Sequence, residues 1–446
     1  MVQHAHSPNT PDSKPVAPDV HGVALHPADQ SWMKKLGPGI ITGAADDDPS
    51  GIATYSQAGA RFGYGLLWTI VLTYPLMAAI QMVSAHIGQV TGHGLATNIR
   101  RHYPTWLLYT IVGLLLVANT INIAADIAAM ADATHLLLGG VSFLYVLFYG
   151  VLSVVLQVLI PYVRYVRILK WLTFALLAYV ATVFVVQIPL GEVLAGTFIP
   201  RFSMNAAAIT MIVAVFGTTI SPYLFFWQAS QEVEEQHADP IGKPLKRAKS
   251  RLARAILLDV DLDTYVGMAF SNLVAFFIVL TTAATLHAHG VANIESSAQA
   301  AAALRPIAGE FAYLLFTLGI VGTGLLAVPV LAGSAAYAMA GTFRWRNSLE
   351  LKPTAAKKFY GVIALATLMG AALNFVPLDP IKALFWSAVM NGVIAVPVMV
   401  VMMLLVSRRD VMGRFVPSRR LRTMGWASTA VMAAAVSAML WSMVAG

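Results

Sequence analysis

The chain has 446 residues, of which 58% are hydrophobic and only 11% are charged. A soluble domain carries about 25% charged residues, so this composition excludes a water-soluble globular protein and indicates several membrane spans. The absence of cysteine excludes disulfides and thiolate metal sites, and the net charge of +8 is spread over short loops, which indicates membrane topology and no nucleic-acid partner.

The chain opens with a polar segment, residues 1–30, that has no signal-peptide core and is predicted to be a disordered cytoplasmic tail. Apolar stretches of membrane-spanning length follow. We predict eleven spans, at 37–60, 66–89, 106–138, 141–160, 169–188, 206–230, 265–286, 311–340, 359–376, 381–406 and 424–444.

The basic residues fall in alternate loops. With a cytoplasmic N-terminus, the inner side receives all of the 29 lysine and arginine residues except Arg61, Arg201, Arg305 and Lys382. The positive-inside rule therefore places the N-terminus in the cytoplasm and the C-terminus outside. The expected location is the inner membrane of the cell, with the lipid bilayer as a partner and a monomer as the assembly.

Two of the spans carry helix-breaking sequences. Span 1 contains Asp46-Asp47-Asp48-Pro49-Ser50-Gly51, and span 6 contains Gly217-Thr218-Thr219-Ile220-Ser221-Pro222-Tyr223. These interrupted spans lie five apart and run in opposite directions, which is the signature of an inverted repeat. We therefore predict an all-α, LeuT-like 5+5 fold, with a first repeat at 31–190, a second at 200–406 and an added eleventh helix at 421–446.

The breaks favour a cation over an anion. A helix that stops inside the membrane leaves its last carbonyls without intrahelical partners, and Asp48 adds a full negative charge. The alternative is that both prolines merely kink packed helices. The side-chain oxygens of Asp48, Ser50, Thr218 and Ser221 are hard donors, which suit Mg²⁺, Ca²⁺ or Mn²⁺ better than copper or zinc.

These motifs resemble the Nramp family of divalent-metal transporters, and most closely its magnesium-transporting branch. Asp48-Pro49-Ser50-Gly51 matches the family motif Asp-Pro-Gly-Asn, and Thr218 to Tyr223 matches Ala-x-x-Met-Pro-His. The resemblance implies that Asp48 is the metal-binding carboxylate. It also places Gly51 and Ser221 where the family has an Asn ligand and a soft Met ligand, so it implies import of Mg²⁺ and also Mn²⁺ by alternating access.

The resemblance also bears on proton coupling. Asp126 matches a family aspartate of span 3, but Ala129 replaces the glutamate three residues later, and Tyr223 and Gln228 replace two histidines. Neither tyrosine nor glutamine titrates near neutral pH. We therefore expect weak or absent proton coupling. The alternative is a proton-coupled Mn²⁺/Fe²⁺ transporter of the ordinary type.

Other polar residues of the spans have two interpretations each. Asn122 and Asp126 share a helical face and could line an ion or proton pathway, but interhelical hydrogen bonding would also explain them. A further set of residues is expected to bind the metal or to hold its ligands, and hydrogen bonding between helices is the alternative. These residues are Asp47, Ser50, Tyr223, Gln228, Asn272 and Asn391. Glu232, Glu234 and Glu235 are expected to be a solvated helix end, with an exit funnel as the alternative.

Other classes of protein fit less well. An amino-acid transporter needs a first broken helix that accepts a carboxylate, and three consecutive aspartates oppose that. The chain has no His-Glu-x-x-His or Gly-x-Ser-x-Gly sequence, so a membrane-embedded hydrolase is not indicated. We expect a transporter without enzymatic activity and without a cofactor.

Overall fold

The computed structural model describes residues 38–160, 174–200, 205–238, 244–247, 250–376 and 379–445. This part of the chain folds into helices and loops and contains no β-strand. The predicted tail at 1–30 lies outside the described residues, as do residues 169–173 of the predicted fifth span.

The helices are numbered in chain order. They are α1 (Pro38–Asp46), α2 (Pro49–Phe62), α3 (Leu67–Thr91), α4 (Leu95–His102), α5 (Thr105–Leu138), α6 (Ser142–Leu159), α7 (Leu177–Val183), α8 (Leu190–Phe198), α9 (Ala206–Thr219), α10 (Pro222–Ala238), α11 (Ser250–Thr285), α12 (Ser297–Ala302), α13 (Arg305–Ala308), α14 (Ala312–Phe343), α15 (Lys357–Leu373), α16 (Pro380–Ser407), α17 (Arg409–Met412) and α18 (Arg419–Ala445).

Eight stretches of the described chain are long and apolar enough to cross a membrane. One of them, Pro49–Thr91, joins α2 and α3 and has 43 residues. The predicted ninth span corresponds to α15, which has 17 residues. The predicted fifth span is represented among the described residues by the short apolar helical segment Phe174–Val183, which includes α7. The protein is a multi-span membrane protein, and the number eleven stays a prediction.

The first span is interrupted where the sequence predicts. Helix α1 ends at Asp46, and α2 begins at Pro49. Proline lacks a backbone N–H and is favoured at the first position of a helix, and aspartate is among the best residues to precede it. Asp48 has extended backbone angles and its side chain accepts the N–H of Gly51, so it is the N-cap of α2. The local sequence therefore ends one helix and starts another.

The sixth span is interrupted in the same way. Helix α9 ends at Thr219, and α10 begins at Pro222. Ile220, with φ −115° and ψ 64°, is outside the helical region. The two interrupted helices predicted as part of the fold are thus confirmed.

Helix α1 packs along the middle of α11 through glycine. A Cβ atom added to Gly43 would lie 2.2 Å from the carbonyl oxygen of Gly267. One turn earlier, the N–H of Gly39 donates to Asp263 at 2.6 Å. Small residues four apart allow helix backbones in membranes to approach closely, so these glycines fix the position of α1 against α11.

The long helices α5, α14 and α16 surround the broken ones. Helix α14 packs against α5, α10 and α15, whereas α16 packs against α5 and α9. The two breaks therefore lie inside a shell of helices and away from lipid.

Candidate functional site: the two helix breaks

Asp48 lies at the centre of the first break and is only 2% exposed. Its Oδ1 accepts hydrogen bonds from the hydroxyl of Ser50 at 2.6 Å and from the N–H of Gly51 at 2.7 Å. Its Oδ2 has one long contact, 3.5 Å from the hydroxyl of Tyr223. One carboxylate oxygen thus holds the start of α2, and the other is weakly engaged and available to a cation.

The second break presents backbone carbonyls. Ser221 donates its hydroxyl to the carbonyl of Gly217 at 2.8 Å and to that of Thr218 at 2.9 Å. These carbonyls belong to the last turn of α9, which has no further helical N–H groups to bind them. Ser221 therefore stabilises the end of α9 in this conformation, and its side chain is small enough to leave space beside it.

Hydroxyl groups connect the two breaks. The hydroxyl oxygens of Ser50 and Thr218 lie 3.4 Å apart, and those of Tyr55 and Thr219 lie 3.2 Å apart. The hydroxyl of Tyr223 also donates to the carbonyl of Ala45 at 3.1 Å. The breaks thus face one another.

Gly51 has a packing role at this point. A Cβ atom on Gly51 would lie 3.3 Å from both the Thr218 hydroxyl and the ring of Tyr55. Glycine therefore allows the first turn of α2 to approach the end of α9, and the residue offers backbone atoms and no side-chain ligand.

Asp46 and Asp47 point toward α11. The hydroxyl of Ser271 donates to Asp46 Oδ2 at 2.6 Å and lies 3.1 Å from Asp47 Oδ1. The sequence predicts the neighbouring Asn272 near the metal and does not indicate Ser271. A hydroxyl beside an amide in an apolar span was the available signal, but only the packing of α1 on α11 shows which of the two residues faces the aspartates.

Gln228 lies away from Asp48. Its amide donates to Glu232 at 2.7 Å, and its oxygen accepts the hydroxyl of Thr42 at 2.5 Å. The five residues from Tyr223 to Gln228 correspond to ~7.5 Å along a helix. In this conformation Gln228 belongs to a polar cluster with Thr42 and Glu232, and the structure does not bring it together with Asp48.

Several residues predicted for the pathway or for the surroundings of the metal have buried polar atoms without hydrogen-bond partners. Asp126 is 0% exposed and neither of its carboxylate oxygens has a partner. The same holds for both side-chain polar atoms of Asn122 and of Asn391, and for the oxygen of Asn272. The carboxylates of Asp126 and Asp48 lie close enough to repel one another. A buried acid with open oxygens near a second acid is a place where a cation or water molecules would be stabilised.

The arrangement is suited to a hard cation. No group of three or more His, Cys, Asp or Glu side chains in the described part of the chain is arranged to hold a metal ion. A cation at the breaks would therefore meet Asp48, hydroxyl groups and backbone carbonyls. Such an oxygen-rich set with few charges matches the preferences of Mg²⁺, Ca²⁺ and Mn²⁺.

Comparison with known proteins agrees with this geometry. Residues 39–442 match the family described as natural resistance-associated macrophage protein-like, or Nramp. The chain is 26% identical over 460 residues to the divalent metal cation transporter MntH of Deinococcus radiodurans, covering 99% of each chain. It is 29% identical over 374 residues to MntH of Verminephrobacter eiseniae, covering 78% of this chain and 80% of that one.

Solved structures share the fold. The structure of the Eremococcus coleocola manganese transporter in complex with an aromatic bis-isothiourea substituted compound superposes with a TM-score of 0.71 at 19% identity, covering 94% of this chain and 90% of that one. The nucleobase–cation symporter Mhp1 superposes with a TM-score of 0.53 at 14% identity and covers 92% of each chain. The predicted LeuT-like fold class is confirmed.

Proposed function

The chain belongs to the Nramp family, whose members are transporters and not enzymes, and we propose that it is a secondary transporter that imports divalent metal cations by alternating access. One observation carries this proposal: a buried carboxylate, Asp48, lies where two interrupted helices meet. None of the ion pairs in the described chain involves Asp48, so its charge is available to a mobile cation.

We propose that the metal binds Asp48 Oδ2 together with oxygens of the second break. The Thr218 hydroxyl is near because it lies 3.4 Å from that of Ser50, which itself binds Asp48. Ser221 would contribute its hydroxyl once it releases the carbonyls of α9, and those carbonyls are further donors. Gly51 would contribute space.

We further propose that the site is selective for Mg²⁺. The side chains of Asp48, Ser50, Thr218 and Ser221 offer oxygen atoms at the breaks. Ser221 occupies the position where the family motif has methionine, whose side chain is a thioether. Mg²⁺ prefers oxygen and gives up its waters reluctantly, so a site with one carboxylate and small neighbours suits a partly hydrated ion.

A second candidate is Mn²⁺ transport coupled to protons. The similarity to MntH and to a manganese transporter favours it. Against coupling, Ala129 cannot titrate, and Tyr223 and Gln228 are engaged with Ala45 and with Glu232 respectively. We propose that coupling is weak or absent and that Asp126 and Asn122 line a hydrated route.

Uptake of Mg²⁺ and of Mn²⁺ into proteoliposomes containing a pH dye tests the proposal. We expect wild-type protein to take up Mg²⁺ without acidification of the lumen. Mn²⁺ uptake alone, with stoichiometric acidification, would instead establish the second candidate. Absence of uptake of either ion would contradict both.

The site is tested by Asp48→Asn and Asp48→Ala. Asparagine keeps an oxygen that can accept the N–H of Gly51, so α2 stays capped, whereas alanine loses a cap that contributes ~1 kcal/mol. Both variants lose the charge, and we expect both to lose metal binding, measured by calorimetry, and uptake. Mg²⁺ uptake at the wild-type rate by Asp48→Asn would refute the assignment of the metal site.

A further inference from the structure

We propose that Glu232 of α10 forms a second, transient cation site on the route from Asp48 to the end of the molecule that the positive-inside rule assigns to the cytoplasm. The inference rests on the proposed function as a cation importer. It concerns a carboxylate that neither helix break uses and that the sequence suggested to be solvated.

Glu232 is 1% exposed. Its two carboxylate oxygens accept amide hydrogens from Gln228 at 2.7 Å and from Gln89 of α3 at 2.8 Å. No lysine, arginine or histidine of the described chain forms an ion pair with it. Its charged neighbours are Glu235 and Asp263, and both repel it. A buried acid without a positive partner inside a membrane protein marks a place where a cation passes or binds.

Glu232 lies further along α10 than the first site. Along α10, Tyr223 contacts the carbonyl of Ala45 beside Asp48, and Gln228 contacts Thr42 one turn further down α1. Glu232 follows one turn beyond Gln228. The nine residues from Tyr223 to Glu232 span ~13.5 Å of helix. A cation that leaves Asp48 past Thr42 and Gln228 would reach Glu232 next, one turn beyond Gln228 on α10.

The contacts of Glu232 close this route in the present conformation. They form a continuous chain from the Thr42 hydroxyl through Gln228 and Glu232 to Gln89, which in turn accepts an amide hydrogen of Gln236 at 3.2 Å. This series of hydrogen bonds connects α1, α3 and α10 between Asp48 and the end of α10.

A divalent cation can replace the two amide hydrogens on Glu232. Both are neutral donors, whereas the cation carries two charges, and interactions between charged groups are stronger than neutral hydrogen bonds. The amide of Gln228 can turn its oxygen toward the same ion, because its side chain carries both a donor and an acceptor. The route therefore opens around the cation, and no vacant carboxylate is left behind in the membrane.

The neighbouring Glu234 provides the matched control. It lies on the same helix two residues away, but its carboxylate accepts the hydroxyl of Tyr337 of α14 and the N–H of Leu349. Glu234 is thus anchored to another part of the molecule. Replacing either glutamate by glutamine removes one ionisable carboxyl group from α10.

The experiment compares Glu232→Gln with Glu234→Gln in proteoliposomes, together with calorimetric Mn²⁺ and Mg²⁺ binding in detergent. We expect Glu232→Gln to lower the maximal uptake rate about tenfold, while equilibrium affinity at Asp48 stays within about twofold, since the second site acts after the first. Glu234→Gln should keep the wild-type rate. Wild-type uptake by Glu232→Gln would overturn the inference and leave the proposed function standing.

Two further results would overturn it. If Glu232→Gln abolishes proton flux but keeps metal uptake, Glu232 is a proton carrier. If Gln89→Met, which leaves the Glu232 carboxyl group in place and removes the side-chain hydrogen bonds of Gln89 to Glu232 and Gln236, slows uptake as strongly as Glu232→Gln, the cluster is only structural. We expect Gln89→Met to keep or raise the rate. Absence of Mg²⁺ and Mn²⁺ uptake by wild-type protein would instead refute the proposed function itself.

Discussion

At the scale of single residues, Asp48 combines two roles through its two oxygens. Oδ1 caps α2 through Gly51 and Ser50, while Oδ2 faces Tyr223 at 3.5 Å. A carboxylate that is fixed on one side and open on the other needs no rearrangement to meet a cation. The same residue therefore explains both the break in the helix and the chemistry proposed for it.

We propose that Ser221 is the residue on which the preference between Mg²⁺ and Mn²⁺ depends most. We expect Ser221→Met to raise uptake of Mn²⁺ relative to Mg²⁺ about tenfold, which equals ~1.4 kcal/mol, because a thioether favours transition metals over hard cations. The measurement is competition between the two ions in proteoliposomes.

Ser221→Ala is the control for that substitution. It also removes the hydrogen bonds from the hydroxyl to Gly217 and Thr218, but it adds no sulfur. If alanine shifts the preference toward Mn²⁺ as strongly as methionine does, the effect arises from the end of α9 and the selectivity argument is wrong.

At the scale of helices, the short α1 depends on its contact with α11. Helix α1 has nine residues, too few to be stable alone. Asp263 binds the N–H of Gly39 at its start, Gly43 lies against Gly267, and Ser271 binds Asp46 at its end. Residue numbers increase along both helices in these three contacts, so α1 and α11 run parallel.

We therefore expect Gly43→Ala to destabilise the protein. A Cβ atom there would lie 2.2 Å from the carbonyl oxygen of Gly267, and overpacking typically costs about 1–3 kcal/mol. The thermal melting temperature in detergent should fall, and uptake with it. Gly113→Ala in α5 is the matched control, because a Cβ atom on Gly113 meets nothing within 4 Å. Equal melting temperatures for the two variants would show that α1 is not held by this contact.

The sequence predicts the helix breaks because their causes are local. Proline at 49 and 222 and aspartate at 48 determine helix ends by backbone chemistry alone, and the structure places the ends there. The oxygen-rich character of the site is readable in the same way. These features involve residues within a few positions of one another.

Contacts between distant helices escape such prediction. Glu232 follows a polar pattern that resembles a solvated helix end, yet Gln89, 143 positions away in the chain, covers it. The register of α1 against α11 brings Ser271 to Asp46 and Asp47, and the register of α1 against α10 brings Gln228 to Thr42. That register follows from glycine packing, which one sequence does not reveal.

At the scale of the whole molecule, the acidic interior and the distribution of basic residues point to electrical driving of transport. Asp48, Asp126 and Glu232 are buried, and none of them takes part in the ion pairs of the described chain. A divalent cation that crosses 100 mV gains ~4.6 kcal/mol. Without proton coupling, that free energy is the main source of accumulation.

We therefore expect Mg²⁺ uptake to follow the membrane potential. A potassium diffusion potential of about 100 mV, negative inside and set with valinomycin, should drive accumulation toward ~10³-fold, and the opposite sign should prevent it. Asp48→Asn vesicles give the background. Uptake that is insensitive to potential would contradict electrical driving, and uptake that rises with an inward proton gradient and acidifies the lumen would show that the chain couples metal to protons despite Ala129, Tyr223 and Gln228.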